Sequence, residues 1–238
     1  MKKVLLRAPL LTNSGYGVHS RQVFEWLFSR KDVELTVEWL QWGRTSWIID
    51  SKRENGIYSK IMSCSRQVEK GTYDITFQIQ LPDEWDASLG KKNIGITAVV
   101  ETDKCNPEWV SACNKMDEIV VPSTFTKNVL KRSGLLSVPV VVIQEWYNKN
   151  IQNKSLLSKT LLDDRYKKIN KDFNILLIGT LTSNNPEDDR KNLYNTIKWL
   201  CEEFKEKEDV GIVLKTNFGK GTSADRNLCL DYLNNFLK

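Results

Sequence analysis

The chain holds a single histidine, His19, inside a glycine-bearing stretch, Asn13-Ser14-Gly15-Tyr16-Gly17-Val18-His19-Ser20. Two glycines with one residue between them let the backbone turn sharply and come close to a ligand. Where such a loop opens a helix, free N–H groups and a partial positive charge suit a phosphate. His19 could then polarise or hydrogen-bond a sugar hydroxyl or a phosphate. A tight strand-to-helix turn and a structural histidine are the plainer alternatives. The stretch is not a dinucleotide fingerprint, because Val18, His19 and Ser20 follow Gly17 where G-x-G-x-x-G needs its third glycine.

Two further stretches carry suitable groups. Glu101 and Asp103 directly follow the apolar run Asn93–Val100. In open α/β sheets, ligands bind at the carboxyl ends of strands. Carboxylates there could accept from hydroxyls or stabilise developing positive charge. Asn106-Pro107-Glu108 reads instead as a helix cap. Farther on, Gly179-Thr180 ends an apolar run, and Arg190-Lys191 stand where a helix is expected to begin. Two cations at a helix start oppose the macrodipole unless an anion sits there. Either a diphosphate or the neighbouring Glu187, Asp188 and Asp189 would supply one. Phe218-Gly219-Lys220-Gly221-Thr222 fails as a P-loop, because Gly221 stands where Ser or Thr must follow the lysine.

The elements that would position these groups alternate in type. Val4–Leu6, Asn93–Val100, Glu118–Val121 and 139–143 read as short apolar strands of the kind a parallel sheet buries on both faces. Between or beside them, Ser20–Ser29, Pro107–Lys115 and Ser123–Ser133 have helical spacing, with Ser123 as an N-cap. This is the pattern of an α/β domain. After a polar stretch the alternation restarts with a strand over Phe173–Ile178, a helix over Arg190–Phe204, a strand over Val210–Lys215 and a helix over Ser223–Leu237. We therefore expect a complete Rossmann-like domain over 1–148, a linker over 149–172, and the first β-α-β-α of a second Rossmann-like domain over 173–238. A second unit of two strands leaves an open edge, so the chain is expected to be a truncated product or a fragment unless a partner covers that edge.

Composition excludes several classes. Of 238 residues, 40% are hydrophobic, with 35 basic against 30 acidic, which argues for a packed core and against intrinsic disorder. No apolar run reaches membrane-spanning length. The opening Met1–Leu11 reads as a first strand rather than a signal peptide. The five cysteines form no C-x-x-C pair, so no zinc knuckle is expected, and reduced thiols in a cytoplasmic protein are the simplest reading. Residues 149–172 carry seven Lys/Arg and three Asp/Glu, which is nearly the whole net charge of +5. A solvated linker explains that better than a nucleic-acid stripe. A peripheral contact with anionic lipid head groups is another use for it.

Residues 95–135, GITAVVETDKCNPEWVSACNKMDEIVVPSTFTKNVLKRSGL, resemble the N-terminal domain of family 4 glycosyltransferases of the GT-B fold. The stretch Asp117-Glu118-Ile119-Val120-Val121-Pro122-Ser123-Thr124-Phe125 is similar to that family's D-x-[IV]-x-V-P-S-x-[FY]. SGYGVHSR resembles its glycine-rich first loop, and GTLTSNNPEDDRKN the first loop of its donor-binding domain. The likeness spans most of the chain except 40–90 and 147–171.

The resemblance implies a retaining transferase that moves a sugar from a nucleotide-diphosphate sugar to a glycan, lipid or protein acceptor, with no cofactor and no essential metal. On that reading Gly15, Gly17, Arg190 and Lys191 face the donor diphosphate, and His19, Glu101 and Asp103 line the acceptor side. There are departures. Thr180 stands where the family has arginine, Gln144-Glu145-Trp146 stand where it has proline and glycine, and the E-x7-E carboxylate pair is not reached. Catalysis by this polypeptide alone is therefore in question. The alternative is a non-catalytic Rossmann-like module that binds a sugar or a protein partner. A nicotinamide-dependent enzyme is a distant third.

Overall fold

The structure is a computed structural model that describes residues 1–43, 45–99, 101–147, 169–218 and 222–237. The chain divides into two compact units, Met1–Tyr147 and Asn148–Lys238. Most of the expected linker and residues 219–221 of the rejected P-loop lie outside the described residues.

Unit 1 is a Rossmann-like α/β domain. Its strands are β1 (Lys2–Ala8), β2 (Val33–Trp39), β3 (Tyr73–Ile79), β4 (Gly90–Ile96), β5 (Glu118–Val121) and β6 (Val140–Val142). All pair in parallel, in the order β2-β1-β3-β4-β5-β6. The connections are α1 (Gly15–Phe28), α2 (Arg53–Ser63), α3 (Pro107–Cys113) and α4 (Thr124–Ser133). The order reverses between β1 and β3, and that switch point is where a parallel sheet opens a crevice at the carboxyl ends of its strands.

Alternation along each strand divides the core in two. Val4, Leu6 and Ala8 pack with Phe24 and Leu27 of α1 and Ile57 and Ile61 of α2. Ile119 and Val121 point the other way, packing with Cys113 and Leu130 of the α3–α4 side. Gly95 of β4 faces Trp85. A Cβ there would lie 2.7 Å from the indole ring, so this position takes no side chain.

The structure moves several expected boundaries. Helix α1 begins at Gly15, not Ser20, because Ser14 Oγ accepts from the Gly17 N–H and caps the helix there. The two glycines are therefore the first turn of α1 rather than a loop ahead of it. β4 starts and ends earlier than the apolar run suggested. Ala98 N–H donates to the Tyr16 hydroxyl, outside the ladder, at 3.0 Å. β2, β3 and α2 occupy the region for which the sequence offered no element. Ser123 and Asn106 do cap α4 and α3.

Unit 2 runs β7 (Phe173–Ile178), α5 (Leu193–Phe204), β8 (Val210–Lys215), α6 (Ser223–Phe236), with the two strands parallel. Leu193, Tyr194, Ile197, Cys229 and Leu233 form its core. The expected β-α-β-α order is present. However, α5 begins at Leu193, so Arg190 and Lys191 stand in the turn before it rather than in its first turn.

Candidate functional site

A small cleft, of about 10 Å³, lies at the carboxyl ends of the strands of unit 1. Tyr16 and His19 line it from α1, Thr97 and Ala98 from the loop after β4, Pro122 from the end of β5, and Ile143 and Glu145 from the segment after β6. Each side chain has a local reason for its place. Gly17 brings α1 against the preceding loop, since a Cβ there would lie 2.2 Å from the Thr12 carbonyl oxygen. Buried Arg21 donates from Nη1 to the carbonyls of Leu10 and Thr12, at 3.0 Å each, and from Nε to Glu54 at 3.2 Å. Glu54, Asn55 and Gly56 turn left-handed one after another (φ 50°, 59° and 76°), and Glu54 leads that turn. Gln22 Nε2 donates to the Trp146 carbonyl at 2.7 Å, tying the segment that carries Glu145 to α1. Tyr16 stacks on Trp42 with ring centroids 4.1 Å apart, and its hydroxyl meets Thr97 Oγ1 at 3.2 Å.

His19 is largely buried in this wall. Burial pushes its pKa down, and the carboxylate of Glu145 only partly restores it. The ring is therefore held neutral at pH 7. Its Nδ1 lies 3.7 Å from Glu145 Oε1, too far for a hydrogen bond, and this buried nitrogen has no hydrogen-bond partner. The Tyr16 hydroxyl is pushed above its ordinary range, chiefly by burial. The cleft thus presents a neutral imidazole with an unused nitrogen, a half-exposed carboxylate and a threonine hydroxyl. That set can accept from and donate to the hydroxyls of a polar ligand.

The other sequence candidates fall in different places. Glu101 and Asp103 sit on exposed bends of the loop after β4 and do not line the cleft, which that loop reaches through Thr97 and Ala98. Gly15 is open, with nothing within 4 Å of a Cβ built on it. Gly17 has its N–H committed to Ser14. Sequence reasoning missed Glu145 and Thr97 as cleft residues. The signal for Glu145 was a carboxylate just past the strand-like run 139–143.

In unit 2 the start of α5 has its own anion. Asp189, buried, accepts at Oδ1 from Thr182 Oγ1 at 2.7 Å and at Oδ2 from the Leu193 N–H at 2.7 Å. Burial raises its pKa, but these bonds and those from the backbone of Thr182 and Lys191 outweigh it and leave it lowered. The conflict between two cations and the helix dipole is thus relieved by a neighbouring aspartate. Among the described residues no cluster of His, Cys, Asp or Glu is arranged to hold a metal ion. No helix among them is long and apolar enough to cross a membrane.

No family model matches the chain, and no curated protein matches it. Among solved structures it is similar to a chain of the Glycosylation Associate Protein (Gap123) complex from Streptococcus agalactiae, at 15% identity and a TM-score of 0.30. The match covers 76% of this chain and 32% of that one, so the chain spans about a third of the length of that neighbour.

Proposed function

We propose that the cleft of unit 1 is the acceptor side of a glycosyltransferase that uses a nucleotide-diphosphate sugar, with retention at the anomeric carbon. The observation that carries this reading is His19. It is a neutral imidazole with an unpartnered buried Nδ1 beside the Glu145 carboxylate, at the carboxyl ends of a parallel sheet. Such a pair can hold an acceptor hydroxyl, with the carboxylate or the imidazole accepting its hydrogen. In the transfer, the bond from the anomeric carbon to the donor phosphate breaks and one to the acceptor oxygen forms. The acceptor proton is lost to a base, for which His19 is suited by its neutral state.

In unit 1 the start of α1, at Gly15 and Gly17, would approach a diphosphate; in unit 2, taken by itself, Arg190 and Lys191 offer two cations to one. Of the two glycines, Gly15 has the open approach. Glu101 and Asp103, exposed on the neighbouring loop, would meet the outer part of the acceptor. No cofactor or metal is part of this proposal. Its partners are the nucleotide-sugar and a carbohydrate or lipid-linked acceptor.

The test is thermal shift and donor hydrolysis with UDP-, GDP- and ADP-sugars, using wild type, His19→Ala and Glu145→Gln. A shift with one nucleotide class, and hydrolysis reduced in both variants, supports the reading. No response to any nucleotide-sugar refutes it. A second reading is a non-catalytic sugar- or partner-binding module, favoured by the position of Glu101 and Asp103 outside the cleft. Binding of a sugar or a nucleotide with no turnover in any variant would select it.

A further inference from the structure

Unit 1 has a second cavity, of about 430 Å³, on the β2–α2 side and separate from the polar cleft. Its floor is core: Leu11, Ile48 and Tyr58 are buried. Trp39 and Trp47 form one wall, with ring centroids 4.9 Å apart in an edge-on arrangement, and Met62 of α2 forms the other. The wall segment is fixed to the loop after β1, because Ile48 N–H donates to the Leu11 carbonyl at 2.7 Å and Thr12 bridges to Trp47.

Two polar side chains of this lining are already used, and the others are the Ser51 hydroxyl and the indole N–H groups of Trp39 and Trp47. Ser59 Oγ donates to the Ser51 carbonyl at 3.2 Å, and the Tyr58 hydroxyl donates to Glu54 at 3.1 Å. A sugar, a nucleotide or a peptide brings hydroxyls, amides and carbonyls that need partners when they leave water. This lining has hydrocarbon and ring faces to present instead. The cavity holds roughly fourteen waters' share of liquid volume, within the usual size of ligand pockets. Its mouth keeps Ile49 86% exposed and Met62 50% exposed, a large apolar surface left in water. Exposed Lys52 and Arg53 follow the lining residue Ser51 along the chain, between Asp50 and Glu54, and Glu54 is already paired with Arg21 Nε at 3.2 Å.

We propose that this cavity binds the hydrocarbon chain of a single-chain anionic amphiphile, such as a long-chain fatty acid, with its charged head at Lys52 and Arg53. The site stands on its own geometry and does not depend on what the polar cleft takes.

The probe is cis-parinaric acid titrated into the full chain. Its emission rises when it leaves water, and energy transfer from Trp39 and Trp47 reports proximity. Wild type should bind one molecule, saturably. Ser59→Trp places an indole in the cavity from an exposed helix position, and displacing roughly two methylenes costs about tenfold in affinity. Lys52→Glu with Arg53→Glu should weaken binding severalfold. Both variants should keep the wild-type melting temperature, which separates loss of the site from loss of the fold. UDP-sugars should not displace the probe. Absence of saturable binding, binding unchanged in Ser59→Trp, or displacement by a UDP-sugar would overturn the proposal. So would co-sedimentation with phosphatidylcholine vesicles by a protein that ignores the monomeric probe, which would mark a bilayer-docking face.

Discussion

Replacing Gly17 and Gly15 by alanine, one at a time, separates packing from permissiveness in the first turn of α1. At Gly17 the new Cβ would lie 2.2 Å from the Thr12 carbonyl oxygen, 2.7 Å from Thr12 Oγ1 and 3.1 Å from Arg21 Nη1. Carbon–oxygen contacts settle at about 3.3 Å or more, so the loop must retreat by roughly 1 Å. That retreat disturbs the Arg21–Thr12 hydrogen bond, a charged one of the kind worth about 1.5–3 kcal/mol. It also disturbs the Ser14 cap, worth about 1 kcal/mol. Alanine's better helix propensity returns up to about 1 kcal/mol. The net cost is on the order of 2–3 kcal/mol. At Gly15 there is no contact to lose, so alanine should be neutral or stabilise by up to about 1 kcal/mol. A gap of roughly 3 kcal/mol between the variants corresponds to a Tm difference on the order of 6–12 °C for a unit of this size. Tryptophan fluorescence suits the measurement, because Trp199 is the one tryptophan of eight outside unit 1. Equal melting of the two variants would refute the account of Gly17.

Three other perturbations follow from the same geometry. The pKa of His19 is lowered from its ordinary 6.5, so as pH falls through that value the unfolded chain takes the proton first and stability declines. The Tm gap between wild type and His19→Gln should therefore change between pH 8 and pH 5, against wild type at the acid end, and a constant gap would count against the buried neutral ring. Asp189→Asn should loosen the start of α5 by about 1–3 kcal/mol, read as faster hydrogen exchange at Leu193 and its neighbours. Unchanged exchange there would show that the Asp189 bonds do not hold the helix. Gly95→Ala drives a methyl into the Trp85 ring and should destabilise unit 1 by about 1–3 kcal/mol in urea titration. A wild-type midpoint would contradict that packing.

Much of the fold was legible because several elements carry one dominant signal. Glu118–Val121 is a short apolar strand, Ser123 caps the helix after it, and Asn106-Pro107 opens α3. β2 and β3 escaped because their residues alternate. Glu34, Thr36 and Glu38 interrupt the first, and Asp74, Thr76 and Gln78 the second. In β3 two of those polar residues are buried and satisfied. Thr76 donates to Asn93 at 2.8 Å and Gln78 to the Asp86 carbonyl at 2.8 Å, so burial there leaves no mark in hydropathy. Of the cleft, His19 could be read locally. Glu145 and Thr97 could not, since sheet closure and the Gln22–Trp146 bond bring them to α1 from far along the chain. Glu101 and Asp103 show the converse, because carboxylates after a strand reach its cleft only if the loop turns inward.

Arg21 gives the loop between β1 and α1 a property that its sequence alone would not. Loops of this kind are ordinarily mobile and must be ordered when a ligand arrives. Here one guanidinium binds two of the loop's carbonyls and a glutamate from α2, so the ordering entropy is met during folding instead of at binding. Lysine, a point donor on a flexible stem, could not reproduce that fork. The start of α1, which carries Tyr16 and His19 to the cleft, is therefore anchored by bonds made within the fold itself.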